Sequence, residues 1–237
     1  MPRPALLYLL LVVTNASAGL PACASPARPT ASTRYRVGDF VVYKYTGELV
    51  SPPVALREDV TAQIGNRLRI DVRLSRLTES KRWAQVVTDT PENQRSNRVD
   101  DLFEFSGDRV IRLANNNNSD LLRLYEWVLV RPSGPSLDQD SHKCTRKLAG
   151  TSFDCICSTS RVIAGDRTMR IEDSECAGFL WTHGPTVVTE EDTARTILRV
   201  EVTDFGHREV ASPEPFDPTQ SVPLERLGCH RERGRCE

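Results

Sequence analysis

The chain has 237 residues, of which 31 are basic and 32 acidic, so its formal net charge at pH 7 is −1. A balance this even provides no basic field that would attract nucleic acid, and we expect no nucleic-acid partner. Once an N-terminal leader is removed, the remaining length suits one domain with its own core, or two small ones.

Residues 1–22 have the pattern of a signal peptide. Arg3 supplies a positive start, and residues 5–13 form a run of nine apolar residues. A helix needs about 20 apolar residues to span a bilayer, so this run is too short to be a transmembrane segment. We therefore expect an exported protein from which the leader is removed.

Two processing sites compete at the end of the leader. Residues 16–18 fit the small-x-small rule of ordinary signal peptidase, which would release a soluble protein beginning at Gly19. Residues 20–23 resemble the bacterial lipobox, in which Cys23 becomes the diacylated first residue. The residues that follow are rich in alanine, proline, serine and threonine, so residues 23–35 are predicted to be a flexible tether. We therefore expect the protein to be attached to a membrane through a lipid on Cys23. The expected location is the bacterial cell envelope, and secretion is the alternative.

The clearest structural pattern runs from Val54 to Leu74. Apolar residues occupy alternate positions on both sides of Gly65-Asn66, and only Glu58 interrupts them. A period of two places the apolar side chains on one face of a strand, and a Gly-Asn pair favours a tight hairpin turn. The sequence therefore predicts a long antiparallel hairpin with one buried face and one solvated face.

Shorter apolar runs predict further strands on both sides of this hairpin. They lie at residues 40–45, 83–88, 153–163, 168–172, 186–189 and 196–203. The predicted fold class is mainly β, with an antiparallel sheet of long hairpins that forms a curved sheet or an open barrel. We assign residues 36–206 to a single domain of this kind.

One helix is predicted within the sheet, near residues 120–130. Ser119 or Asp120 can cap it, and its apolar residues recur at i, i+3, i+4 and i+7. These residues are Leu121, Leu124, Tyr125 and Val128.

Two segments lack a core pattern. Residues 131–141 are rich in proline, glycine, serine and aspartate, and form either a domain boundary or a long connection within one sheet. Residues 207–237 are rich in proline and are expected to drape over the domain, held there by Cys229 and Cys236.

Six cysteines in the C-terminal half predict disulfides, as is usual in exported proteins. Cys155 and Cys157 point the same way in a strand, so each is expected to bond a cysteine of a neighbouring strand rather than the other. Their expected partners are Cys144 and Cys176, in an order that the spacing leaves open, while Cys229 and Cys236 close a local loop. The spacing is too tight for a zinc knuckle, and we expect neither a metal nor a cofactor.

No motif for hydrolysis is present. The chain contains neither a Gly-x-Ser-x-Gly elbow nor a His-Glu-x-x-His helix, and we expect no catalytic residues. Residues 179–185 combine two aromatic residues, a histidine and a Gly-Pro turn. Trp181 in this run would either line the mouth of a ligand site or cap the core.

Two short runs carry a resemblance to known proteins. Residues 37–43 and 179–181 resemble segments of uncharacterised bacterial exported lipoproteins. The order of long hairpins, an inserted apolar helix and more hairpins is also weakly similar to the half-barrel lipoprotein-localisation factors. That architectural resemblance implies a curved sheet, covered by helices, that holds acyl chains.

Two functional hypotheses follow. In the first, the protein binds or carries an apolar small molecule or lipid under the helix, where Leu121, Leu124, Tyr125, Val128 and Trp181 would contact it. In the second, it is a structural or interaction domain of the cell surface, hardened by disulfides and without a ligand cavity. The first predicts an enclosed apolar pocket under Leu121, Leu124, Tyr125 and Val128, and the second predicts a filled core.

Overall fold

The computed structural model describes residues 35–90, 92–93, 98–106, 109–113, 119–128, 134–179, 181 and 184–209. The predicted signal peptide, the tether up to residue 34 with Cys23, and the cysteines of the C-terminal tail lie outside these residues. The predicted fold class is confirmed: the described chain is mainly β, with a single open antiparallel sheet and little helix.

The described fold contains eleven strands and the helix α1, besides two helical residues at 92–93. They are β1 (Asp39–Thr46), β2 (Val54–Ile64), β3 (Arg67–Arg76), β4 (Glu79–Thr88), β5 (Asp101–Ser106), β6 (Arg109–Leu113), α1 (Ser119–Leu124), β7 (Ser136–Leu148), β8 (Thr151–Ala164), β9 (Arg167–Cys176), β10 (Thr186–Glu190) and β11 (Thr196–His207).

The strand order is β6-β5-β4-β3-β2-β1-β11-β10-β9-β8-β7. The chain therefore starts in the middle of the sheet, runs outward through β6, and returns inward from the opposite edge, β7, to β11. The pairing of β1 with β11 joins the two halves. Strands before and after residues 131–141 belong to the same sheet.

The predicted hairpin is present as β2 and β3. Leu56 lies opposite Leu74, and Val60 lies opposite Ile70. Gly65 takes a φ of 59°, a left-handed conformation that glycine adopts without the steric cost of a side chain. This freedom allows the tight turn between the strands.

A β-bulge between Val60 and Ala62 corrects one detail of this prediction. Because the bulge adds a residue to β2, the side chains beyond it change faces. Ala62 therefore joins a small cluster with Ala84, Val86 and Phe103 on the opposite face of the sheet. Ile64, which the alternation predicts to be buried, is 45% exposed.

Three predicted boundaries differ from the structure. Residues 79–82 pair with β3 as part of β4, and the turn falls at residues 77–78. Strand β7 occupies much of the segment that the composition indicates as a loop. The regular hydrogen bonding of α1 ends at Leu124, because the bonds then span three residues instead of four. Residues 125–128 continue as turns.

The second half of the sheet folds back on itself. At the β7–β8 turn, the amide of Ala149 donates a hydrogen bond to the carbonyl of Val202 in β11, at 3.2 Å. Phe153, Phe179 and Phe205 pack together, with ring centroids 5.4 to 5.9 Å apart. As a result, residues of β1, β3, β7 and β9 share one main core, and the face that carries it is called the inner face below.

Two of the expected disulfides are present among the described residues. Cys144 bonds Cys157, and Cys155 bonds Cys176, which fixes the pairing order that the sequence left open. The two bonds link β7 to β8 and β8 to β9. They therefore cross-link the edge of the sheet formed by β7, β8 and β9, which lies at the opposite end of the strand order from β4 and β5.

Candidate ligand site

Residues 119–128 cover part of the inner face and are called the lid below. Leu124 is fully buried, and Val128 is 8% exposed. Leu121 and Tyr125 are partly buried against the same core. The four lid residues singled out by their helical spacing thus lie against the sheet, as an amphipathic segment requires.

Exposed ionic contacts fasten the lid to the sheet. The guanidinium of Arg123 donates to both carboxylate oxygens of Glu104 on β5, at 2.6 and 3.2 Å. The ammonium of Lys81 on β4 donates to the Glu126 carboxylate at 2.5 Å and to the Arg123 carbonyl at 3.3 Å. Exposed pairs of this kind contribute only about 0.2–1 kcal/mol each, so these contacts position the lid without locking it.

Trp127 adds a second type of contact at the edge of the lid. The Arg76 guanidinium lies 4.5 Å from the centroid of its ring, and the Lys81 ammonium lies 4.8 Å away. The cationic groups nearest to the lid are therefore engaged by Trp127, Glu104 and Glu126 at its outer edge.

Beneath the lid, Glu58 on β2 is a buried acid on the inner face. It is 7% exposed, and the hydroxyl of Tyr125 donates a hydrogen bond to its Oε1 at 3.1 Å. Burial raises the pKa of Glu58 to about 7, with a smaller contribution from Asp59 in the same direction; the Tyr125 hydrogen bond opposes them. No lysine, arginine or histidine in the described part of the chain forms an ion pair with this carboxyl group.

Tyrosines surround the buried acid. Burial raises the pKa of each of their hydroxyls, and the negative charge of Glu58 raises it further; they are Tyr35, Tyr43, Tyr45 and Tyr125. Trp83 packs edge-on against Tyr125 with ring centroids 4.7 Å apart. Trp181 packs against Tyr35 in the same way at 5.1 Å. The inner face around Glu58 is therefore unusually aromatic.

Two polar atoms of this region have no hydrogen-bond partner among the described residues. They are the hydroxyl of Tyr43 and the indole Nε1 of Trp83, and both side chains are fully buried. A buried polar group without a partner costs about 1–3 kcal/mol, so such groups are uncommon in folded proteins.

The strand register places these groups close together. Glu58 pairs with Val72, which pairs with Trp83 on the next strand, so the acid and the indole belong to one cross-strand row. Tyr43 lies on β1 opposite Leu56, one row away on the same face. A hydrogen bond from Gln85 lowers the pKa of Tyr125 and identifies a further polar partner of the lid hydroxyl.

Sequence reasoning identified the lid but missed the polar groups beneath it. Of the five candidate ligand residues, the four on the lid come together, while Trp181 belongs to the same core and contacts Tyr35. Glu58, Tyr43 and Trp83 were not singled out. A signal existed for Glu58, since it alone interrupts the apolar alternation of β2.

The described residues contain no cluster of histidine, cysteine or carboxylate side chains that could hold a metal ion. Among them there is also no helix long and apolar enough to cross a membrane.

Comparison with known proteins places the chain in no family. No family model and no curated protein matches the sequence. Among solved structures, the fold is similar to that of a hypothetical protein from Chlamydia trachomatis, with a TM-score of 0.41 and 7% identity. The match covers 77% of this chain and 93% of the other. A likeness at this level carries no argument about function.

Proposed function

We propose that the chain is an exported, lipid-anchored protein of the cell envelope that binds or carries an apolar ligand beneath its lid. The observation that supports this most is the combination of a lid whose ionic contacts are exposed with buried polar atoms that have no hydrogen-bond partner among the described residues. A ligand that enters under residues 119–128 would meet an apolar and aromatic face, and its polar end would satisfy those atoms.

The lid has the properties that entry of a ligand requires. Its ionic contacts are at the surface, where separating them costs little, whereas its apolar side chains rest on a sheet that is itself a continuous hydrogen-bonded ladder. Lifting the lid would therefore expose the inner face without breaking the pairing of the strands.

The alternative is a disulfide-hardened structural or interaction domain of the cell surface. The cross-links among β7, β8 and β9 favour it, because they stiffen one edge of the sheet, whereas the polar contacts of the lid are with β2, β4 and β5. Such a domain needs neither the buried acid nor the unpaired polar atoms, which is why we prefer the carrier.

A charge reversal on the lid tests the carrier proposal. Arg123→Glu replaces an ion pair with repulsion against Glu104, so the lid should open more often. We expect the fluorescent apolar probe N-phenyl-1-naphthylamine to associate up to about fivefold faster, since about 1 kcal/mol corresponds to that factor. Stopped-flow fluorescence measures the rate.

The matched control is Arg170→Glu on β9. Arg170 is similarly exposed and also pairs with a glutamate, Glu172, but it belongs to a different part of the sheet. Its probe kinetics should equal those of the unmodified protein. Failure of the probe to bind either the unmodified protein or the lid variant would favour the structural domain.

The anchor requires its own test. The intact mass of the protein, exported by a bacterial host and purified without reductant, is expected to show acylation at Cys23 and cleavage before it. In a Cys23→Ser variant the acyl mass should disappear, and the protein should move from the membrane fraction to the soluble fraction. An unmodified polypeptide that begins at Gly19 would contradict the lipid anchor while leaving the ligand site untouched.

A further inference from the structure

We propose that the ligand carried beneath the lid is a cationic amphiphile, an apolar chain ending in an ammonium group that pairs with Glu58. This inference rests on the carrier function proposed above and assigns the chemistry of the polar end of the ligand. Three features of the inner face support it: an acid that forms no ion pair with a described residue, nearby tyrosine and tryptophan rings, and a tyrosine hydroxyl with no hydrogen-bond partner among the described residues.

Glu58 lacks the partner that buried charges normally have. Charged side chains are almost never buried unless they are paired, because removing a charge from water is costly. Here the carboxyl group receives one neutral hydrogen bond, from Tyr125, and forms no ion pair with a described residue. Arg123 on the lid and Lys81 on β4 bind Glu104 and Glu126 instead. A positive charge supplied by a ligand would complete the site.

The aromatic surroundings favour a cation over other head groups. The faces of tyrosine and tryptophan rings attract ammonium groups, and the attraction strengthens when water is excluded. The Glu58 charge acts on the hydroxyls of Tyr35, Tyr43, Tyr45 and Tyr125, so all four lie within its electrostatic reach. Trp83 contacts Tyr125 directly.

The Tyr43 hydroxyl and the Trp83 indole, which have no hydrogen-bond partner among the described residues, indicate further contacts with the ligand. The oxygen of the Tyr43 hydroxyl can accept a hydrogen bond from an ammonium group, whereas Trp83 Nε1–H can only donate. The indole would therefore bind an acceptor oxygen elsewhere on the ligand and not the ammonium itself. An ionised carboxylate accepts hydrogen bonds at both oxygens, so the ammonium can bind Oε2 of Glu58 while the hydroxyl of Tyr125 keeps its hydrogen bond to Oε1.

Other head groups fit less well. A carboxylate would face Glu58 with no described cation to compensate it, and like charges at close range repel. An alcohol could replace the Tyr125 hydroxyl but would leave the acid without a counterion. The residues therefore discriminate by charge, in the order ammonium, hydroxyl, carboxylate.

The test compares three ligands of equal chain length on the full protein. Decylamine, decanol and decanoate are titrated below their aggregation concentrations at pH 8, and displacement of N-phenyl-1-naphthylamine reports binding. We expect decylamine to bind at least about tenfold more tightly than decanol, and decanoate to bind most weakly, since charge-assisted contacts are about twice as strong as neutral ones.

Two variants locate the effect. Glu58→Gln should reduce the preference for the amine to less than about threefold while probe binding persists, because the charge is lost and the shape is kept. Tyr43→Phe removes a hydroxyl that has no hydrogen-bond partner among the described residues, so the variant should fold normally and bind the amine about threefold more weakly. Glu172→Gln, a partly buried acid on β9 that is paired with Arg170, is the control and should change nothing.

The pH dependence gives an independent readout. The affinity for decylamine should rise between about pH 6 and pH 8, as Glu58 ionises around its pKa of about 7. The titratable groups that interact electrostatically with it are the four tyrosines, whose raised pKa values keep them neutral, and Asp59, the next residue of β2, which is paired with Arg57. In Glu58→Gln this rise should vanish.

The outcomes separate the two proposals. If neither the probe nor any of the three ligands binds, the carrier function fails. If the probe binds but decanol or decanoate binds as tightly as decylamine, or if Glu58→Gln leaves the preference unchanged, the carrier function stands and the assignment of a cationic ligand is overturned.

Discussion

Replacing Glu58 by glutamine is expected to raise the free energy of unfolding at pH 8 by about 3 kcal/mol. The buried carboxyl group has a pKa of about 7 in the folded protein, against 4.5 when it is exposed to solvent. The folded state therefore holds its proton more tightly than the unfolded chain does. Above pH 7 the folded protein must carry an unpaired buried charge, and glutamine has none.

Because the pKa of Glu58 is higher in the folded protein than in the unfolded chain, its stabilising contribution is present at low pH and is lost as the pH rises. Below about pH 4.5 the group is protonated in both states, and its contribution to stability is fully present. As the pH rises, the unfolded chain ionises first, so stability is lost progressively until the pH passes the folded pKa of about 7. The unmodified protein and Glu58→Gln should thus be equally stable at pH 4 and diverge by pH 8.

Urea unfolding from pH 4 to pH 8 measures the free energy of unfolding of both proteins. When one value is subtracted from the other at each pH, the contributions of the other titrating groups cancel. Glu190 and Glu191 illustrate why subtraction is needed. Hydrogen bonds from Thr193 and Arg161, respectively, lower the pKa values of these two carboxyl groups. Their stabilising contribution is therefore lost as the pH falls, the opposite direction. A constant gap between the two proteins at all pH values would contradict the buried-acid interpretation of Glu58.

Removing the disulfide between Cys155 and Cys176 is expected to lower the free energy of unfolding by about 3 kcal/mol. The bond closes a loop of 21 residues between β8 and β9 and so restricts the unfolded chain. The variant Cys155→Ala/Cys176→Ala keeps the other bonds, and urea unfolding under non-reducing conditions measures the loss.

The companion variant Cys144→Ala/Cys157→Ala opens a loop of 13 residues, so its loss should be slightly smaller. Neither change should alter probe binding, because the lid rests on the other half of the sheet. A loss below about 1 kcal/mol for both variants would show that these bonds do not constrain the unfolded chain.

Regular alternation and helical spacing predicted much of this fold. The β2–β3 hairpin follows from its period of two and from Gly65-Asn66, and the lid follows from the spacing of Leu121, Leu124, Tyr125 and Val128. In both cases, burial of one face requires apolar residues at a regular spacing, and that spacing is visible in the sequence.

The missed elements have a common physical cause. Strand β7 is an edge strand whose side chains are mostly exposed, so its sequence has no apolar pattern. The bulge in β2 moves the side chains of Ala62 and Ile64 to the opposite face of the sheet, and no residue type at that point of the sequence predicts it. Strands β5 and β6 are only six and five residues long and contain charged residues within and at their starts, so their apolar pattern is too short to predict the pairing.

The candidate site was only partly predictable for a related reason. A buried acid such as Glu58 stands out in an apolar pattern, but its lack of a counterion depends on which strands lie beside it. The unpaired hydroxyl of Tyr43 and the indole of Trp83 belong to β1 and β4, and only the sheet order brings them to one face. Properties of that kind are long-range and leave no local signal.

The most direct test of the carrier proposal is a native mass spectrum of the protein exported by its own host and purified without reductant or detergent. We expect one small amphiphile with a basic nitrogen bound to each chain, and its loss from Glu58→Gln purified in the same way. A bare polypeptide, with no bound molecule in either protein and no uptake of an apolar probe, would contradict the account and leave a disulfide-hardened domain with a filled core.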